Sequence, residues 1–100
     1  AMDISTDGPV LVLGGDFDVR STFQVRNALY AVLEDHDDVV VDLFGVTSVD
    51  VIALKVLAAA SRRTAQEGRH LTLRGCCPAV LRMLHLSRLA RLVEVERASA

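Results

Sequence analysis

The chain has 100 residues, of which 51% are hydrophobic and 24% are charged, values typical of one globular domain with an ordinary core. Its net charge of −2, from 11 basic and 13 acidic residues, is too small to attract nucleic acid or an anionic membrane. No apolar run reaches the ~18 residues of a membrane span and no signal peptide is evident, so we expect a cytoplasmic protein without membrane insertion.

The N-terminal segment predicts two strands. We expect a single domain over residues 3–98 and take Ala1-Met2 as an artificial extension, because an alanine before methionine is not a natural start. Ile4 and Ser5 indicate a weak first strand. The short apolar run over residues 10–13, which alternates β-branched valine with leucine, is bounded by Gly14-Gly15 and indicates a second strand.

Residues 21–35 predict the first helix. Its apolar residues recur at i, i+3, i+4, i+7 and i+8: Val25, Ala28, Leu29, Val32 and Leu33. Ser21 or Thr22 is the expected N-cap. The short apolar run that follows over residues 39–41 predicts a central strand covered on both faces.

The second half predicts two more helices and two more strands. A Leu- and Ala-rich helix over residues 52–67 should end at Gly68, which tolerates a left-handed backbone. A strand over residues 70–73 follows, and Pro78 should open a third helix with Cys77 at its N-cap. Residues 92–96 indicate a final strand. The expected fold is α/β, a mixed four- to five-stranded sheet packed with three or four helices.

Cysteines and histidines do not form a recognisable site. The two cysteines, Cys76 and Cys77, are adjacent, and the three histidines lie far apart, so we expect no metal and no cofactor. A thiolate on Cys77 would be stabilised by the helix N-terminus, which leaves open a redox role or simply a small buried side chain. The basic residues Arg82, Arg88 and Arg91 form either a solvated face or a contact for an acidic partner.

Four local motifs occur in a specific order along the predicted elements. They are Gly15-Asp16-Phe17-Asp18, the segment from Val41-Asp42-Leu43 to Asp50, Cys77-Pro78-Ala79-Val80 with Arg82-Met83-Leu84, and Ser87-Arg88-Leu89. In this order the chain resembles the STAS domain of bacterial anti-sigma factor antagonists, whose corresponding motifs are G-E-L-D, a strand leading into D-S-S-G, S-P-x-V-x-R-L and S-G-L. Arg88 stands at the usual glycine, so we expect a slightly longer third helix.

The resemblance implies a partner-binding switch that regulates transcription. In such domains the D-S-S-G segment binds an anti-sigma factor that is also a kinase, and phosphorylation of the second serine ends the complex. Here only Asp50 remains, and Ile52 stands at the phosphoacceptor position without an oxygen to phosphorylate. The motif therefore leaves two interpretations. Either the protein is an antagonist that is never phosphorylated at this position, or the site has lost its function and Val51 and Ile52 begin the buried face of the helix. Thr47 and Ser48 are the remaining hydroxyls that a kinase could modify.

We therefore expect a non-enzymatic regulator that binds an anti-sigma factor or a kinase-like regulatory protein. The expected contact residues are Asp18, Thr47, Ser48, Asp50, Val51, Ile52, Ala53 and Lys55. The alternative is a STAS subunit or scaffold of a larger assembly, such as a lipid-transport ATPase complex or a stress-signalling complex, and a homodimer stays open. A less favoured alternative is an acid–base or magnesium site formed by Asp18 and Asp50, which lacks a nearby base or third ligand.

Overall fold

The computed structural model describes residues 2–96 and contains the predicted alternation of strands and helices. In chain order the elements are β1 (Met2–Asp7), β2 (Val10–Phe17), α1 (Thr22–Asp35), β3 (Asp38–Val49), α2 (Val51–Gln66), β4 (His70–Arg74), α3 (Pro78–Leu86), a short 3-10 helix (Leu89–Leu92) and β5 (Glu94–Val95). The predicted α/β class with a mixed sheet and three helices is confirmed. β1 begins at Met2, ahead of the expected domain start, and the expected end at residue 98 lies outside the described residues.

The sheet has the strand order β1-β2-β3-β4-β5, with β1 antiparallel to β2 and the other pairs parallel. The three crossover connections advance in the same direction across the sheet. Because such crossovers are right-handed, α1, α2 and α3 lie on one face of the sheet. Val39 and Val41 are buried under this layer, whereas Val40 on the other face is only half-buried. The prediction that this strand is covered on both faces is therefore wrong.

The core lies between the sheet and the helical layer. Its largest fully buried side chains are Phe17, Leu11, Leu13, Leu29, Leu54, Leu57, Leu71, Leu73 and Leu84. Four of the five residues in the predicted α1 stripe are buried and Ala28 is partly buried, which confirms the predicted face of this helix.

Strands β2 and β3 are longer than the sequence predicts. β2 continues through Gly14-Gly15 to Phe17, and β3 continues through Thr47 and Ser48 to Val49. Their pairing has two irregularities, between Val12 and Gly14 and between Gly15 and Asp16. At each of them β3 has one more residue than the paired segment of β2. Thr47 and Ser48 therefore lie on a strand and not in the expected loop, and only Asp50 separates β3 from α2.

The ends of α2 and α3 use the left-handed backbone conformation in different ways. Gly68 follows α2 with φ +74°, which confirms the predicted role of this glycine. Arg88 follows α3 with φ +65°, so the chain keeps the tight turn although the residue is not glycine. The prediction of a longer third helix is wrong, because α3 ends at Leu86. Pro78 and Cys77 occupy the predicted helix-start positions, and the Cys77 side chain makes no capping hydrogen bond.

Candidate functional site

The connections after β2 and β3 meet at one edge of the sheet. These strands are parallel neighbours, so their carboxyl ends lie side by side, with Phe17 paired to Val49. The Asp50 N–H donates to the Phe17 carbonyl oxygen at 3.2 Å. The Val19 N–H donates to Oδ2 of Asp50 at 3.3 Å. Asp50 thus joins the β2–α1 connection to the start of α2.

Asp50 is also the N-cap of α2. Its Oδ1 accepts a hydrogen bond from the Ala53 N–H at 2.8 Å, and its carbonyl accepts from the Leu54 N–H at 3.1 Å. An acceptor at this position satisfies one of the free amides of the helix start, and its negative charge is favourable near the positive end of the helix dipole. Both carboxylate oxygens of Asp50 therefore bind backbone groups of the chain itself.

Asp18 is held by the residues that follow it. Its carboxylate accepts from the Arg20 backbone N–H at 2.9 Å and from the Arg20 guanidinium Nη2 at 2.7 Å. The hydrogen bonds from the Arg20 side chain and backbone lower the pKa of Asp18, and the same side-chain bond raises the pKa of Arg20. The Ser21 hydroxyl accepts from the Asp18 N–H at 3.2 Å. Ser21 occupies the N-cap position of α1 as predicted, but its hydroxyl binds this connection and does not cap the helix.

The hydroxyls of Thr47 and Ser48 share one acceptor. Oδ1 of Asp16 accepts from Ser48 Oγ at 2.7 Å and from Thr47 Oγ1 at 3.3 Å. These hydrogen bonds, the one from Ser48 first, lower the pKa of Asp16. Both hydroxyl residues are exposed, yet their oxygens face a carboxylate at the irregular end of β3.

Aliphatic side chains are exposed where α2 begins. Val51 and Ile52 are 37% and 52% exposed, so they lie on the surface of the chain and outside its core. Lys55, one turn further along α2, is also exposed. Ala53 is 0% exposed and packs in the core, so its side chain is not part of this surface.

Two further exposed hydrophobic residues adjoin this edge, and they were not predicted from the sequence. Val19 is 57% exposed and donates its N–H to Asp50, and Phe23 in the first turn of α1 is 73% exposed. Phe23 lies off the apolar stripe that begins at Val25, a signal that could have revealed it. We call the exposed patch at this edge the junction surface: Asp18, Val19, Thr47, Ser48, Val51, Ile52 and Lys55.

Asp18 and Asp50 lie at the same edge, as the alternative acid–base or magnesium site requires. Each carboxylate binds its own partners, Arg20 for Asp18 and backbone amides for Asp50. Within residues 2–96 no group of three or more His, Cys, Asp or Glu side chains could hold a metal ion. Over the same residues no helix is both long enough and apolar enough to cross a bilayer.

The adjacent cysteines differ in their surroundings. Cys76 is half-buried, and burial, with a smaller effect of Cys77, raises its pKa to about 11. Cys77 is exposed. The half-buried thiol is therefore protonated at neutral pH, and the predicted redox role stays an untested prediction that rests on Cys77.

A family model described as "Mlab, STAS domain" matches residues 1–94 of the chain. No curated protein matches the sequence.

Solved structures with the same fold include anti-sigma factor antagonists. A Thermotoga maritima protein described as a candidate anti-sigma factor antagonist has a TM-score of 0.77 at 17% identity, covering 97% of this chain and 86% of that one. An anti-sigma factor antagonist from Mycobacterium paratuberculosis has a TM-score of 0.74 at 23% identity, covering 98% and 86%. The Bacillus cell fate determinant SpoIIAA in its phosphorylated form has a TM-score of 0.67 at 12% identity, covering 97% and 92%.

Proposed function

The chain belongs to the STAS domain family, and on this basis we propose that it is a non-enzymatic regulator that binds an anti-sigma factor through the junction surface. The fold it shares with anti-sigma factor antagonists supports this class of function. In this proposal the contact is constitutive, because no serine stands at the usual phosphorylation position.

The main support for the proposal is the set of exposed aliphatic side chains at the start of α2 and in the neighbouring β2–α1 connection. Ile52, Val51 and Val19 present apolar area that a partner can remove from water, at about 25 cal/mol for each Å² buried. Asp18, which is paired with Arg20, and Lys55 place charged groups next to these residues in the chain. An apolar centre with a charged rim is the usual composition of a protein–protein contact.

The chemistry of the junction surface disfavours control by phosphorylation. Ile52 has no hydroxyl, and the hydroxyls of Thr47 and Ser48 both bind Oδ1 of Asp16. A phosphate adds a charge of about −2 at neutral pH, so on either hydroxyl it would be repelled by the Asp16 carboxylate. Kinase activity of a partner would therefore leave the complex intact.

A binding titration tests the contact. The anti-sigma factors of the source organism are purified and titrated one by one with the native chain, with Ile52→Glu and with Leu86→Glu. The helix dipole favours a carboxylate in the first turn of α2, so Ile52→Glu should stay folded. We expect Ile52→Glu to weaken binding at least tenfold. Leu86→Glu, which introduces the same charge at another exposed apolar residue, should change it less than twofold.

The binding proposal fails if no anti-sigma factor forms a complex, or if Ile52→Glu binds as well as the native chain. Circular dichroism on each variant separates a lost contact from a lost fold.

Intact-mass measurement tests the absence of phosphorylation control. After incubation with ATP and an anti-sigma factor that is a kinase, the native chain should keep its mass. Ile52→Ser, which restores a hydroxyl at the phosphoacceptor position, should gain one phosphate and lose the complex. A phosphate on Thr47 or Ser48 of the native chain would contradict this part of the proposal without affecting the binding result.

A second candidate function is a subunit or scaffold of a larger assembly, such as a lipid-transport ATPase complex. It is favoured by the family description, which names Mlab and not a sigma regulator. Affinity purification of the tagged chain from its own cells distinguishes the two. Recovery of an ATPase and a permease in fixed ratio supports the assembly, whereas recovery of an anti-sigma factor supports the first candidate.

A further inference from the structure

The helical layer contains two long segments with basic residues and no acidic residue. In α2 the basic residues are Lys55, Arg62 and Arg63, and in residues 78–92 they are Arg82, Arg88 and Arg91. The acidic residues instead lie on the strands, in the connections and at the end of α1. The net charge of the chain is therefore small, although its basic and acidic residues are concentrated in different parts of the fold.

An open groove runs along the basic face of α2. It lies between α2 and the 3-10 helix and has a volume of about 700 Å³. Ala59 and Leu92 contribute apolar lining, and Lys55, Arg62 and Arg63 contribute positive charges. We call this feature the basic groove.

Two of the three positive charges of the basic groove are available to another molecule. Within residues 2–96 neither Lys55 nor Arg62 forms an ion pair. Arg63 is oriented by Tyr30, whose ring centre lies 5.7 Å from its guanidinium carbon, and its Nε is 3.7 Å from Glu67. A bound anion would thus find two exposed cations without an ion-pair partner among the described residues, whereas Arg63 is already paired with Glu67.

We propose that the basic groove binds an acidic amphipathic helix of a partner protein, at a surface separate from most of the junction surface. Lys55 and Arg62 are seven residues apart on one face of α2, a separation of about 10 Å. Carboxylates two turns apart on a partner helix match this spacing, and the apolar side chains between them would cover Ala59 and Leu92. Only Lys55 belongs to both surfaces.

Nucleic acid and membranes fit the basic groove less well. A phosphate backbone has no apolar group to cover the apolar lining. The Tyr30 ring, on which a base could stack, is already in contact with Arg26 and Arg63, whose guanidinium carbons lie within 6 Å of the ring centre. A flat bilayer surface does not fill a concave groove. The mixed apolar and basic lining therefore favours a protein segment.

A peptide titration tests the proposal. The probe is a fluorescent 16-residue helical peptide that carries glutamates two turns apart on one face, with leucines between them on the same face. Its controls are a scrambled peptide of the same composition and a peptide with lysine at every glutamate. We expect saturable binding of the probe only, with amide chemical-shift changes concentrated at residues 55–63 and 89–92. Arg62→Glu should weaken binding at least tenfold, and Arg82→Glu, the same change at an exposed arginine of α3, less than twofold.

Several results would overturn the proposal. They are an absence of saturable binding, equal binding of the scrambled peptide, and equal weakening by Arg62→Glu and Arg82→Glu. Shifts at the same amides with duplex DNA or phosphatidylglycerol vesicles, but not with the peptide, would assign the groove to those ligands instead. Ile52→Ser, which adds no charge beside Lys55, should bind the peptide normally, so this test is independent of the proposed anti-sigma contact.

Discussion

Replacing Asp50 by alanine should destabilise the chain, because this carboxylate holds two connections together. The substitution removes the cap on the Ala53 N–H, at 2.8 Å, and the longer bond from the Val19 N–H, at 3.3 Å. Loss of an N-cap typically costs about 1 kcal/mol, and loss of a negative charge at a helix start about 0.3 to 1 kcal/mol more. The bond to Val19 is exposed and long, so its contribution is small. We expect a total loss of about 1 to 2 kcal/mol.

Urea unfolding followed by far-ultraviolet circular dichroism measures this loss. The matched control is Asp50→Asn, which keeps a side-chain oxygen and is an equally good N-cap, so it should retain most of the stability. The denaturant slope should stay constant, because the surface exposed on unfolding is unchanged. An Asp50→Ala variant within about 0.5 kcal/mol of the native chain, the scatter of ordinary surface substitutions, would refute the capping role. An Asp50→Asn variant as unstable as Asp50→Ala would refute it equally.

Three further predictions concern other parts of the fold. Arg88→Gly should raise stability by about 0.5 to 1 kcal/mol, because relief of the left-handed conformation exceeds the entropy cost of glycine; lower stability in urea would contradict this. The hydrogen bond and charge of Glu94 raise the pKa of His70 above 6.5. The His70–Glu94 pair therefore stabilises the fold fully below pH 6.5, and this stabilisation is lost as the pH rises through the folded-state pKa of His70. His70→Gln should remove this pH dependence of unfolding, and an unchanged profile would exclude the pair as its source. Iodoacetamide near neutral pH should modify the exposed Cys77 and spare the half-buried Cys76, so rapid double alkylation seen by mass spectrometry would contradict the assigned environments.

Local periodicity was sufficient to predict the helices and the order of elements. The apolar stripe of α1 is buried, and Gly68 adopts the left-handed conformation that its position after α2 suggested. These features depend on residues that are only a few positions apart in the chain, so they can be predicted from the local sequence pattern alone. The connection order and the handedness of crossovers then determine a single helical layer.

Strand length and side-chain partners could not be predicted in the same way. β3 extends to Val49 because it pairs with β2 through two irregularities, and the exposed Phe44 and Gly45 interrupt its alternating pattern. The Thr47 and Ser48 hydroxyls bind Asp16, more than thirty residues away. Non-local pairing of this kind leaves no periodic signal in the sequence.

The fold places different demands on Asp50 and on the two residues that follow it. Asp50 accepts hydrogen bonds from one backbone amide in the β2–α1 connection and one in the first turn of α2, so the fold favours an acceptor at this position. Val51 and Ile52 follow it in the first turn of α2 with their side chains largely outside the core, and the fold places little demand on their chemistry. Valine and isoleucine at these two positions add apolar area to the exposed patch. In the proposed function, they supply the apolar contact and offer no hydroxyl for a kinase to modify.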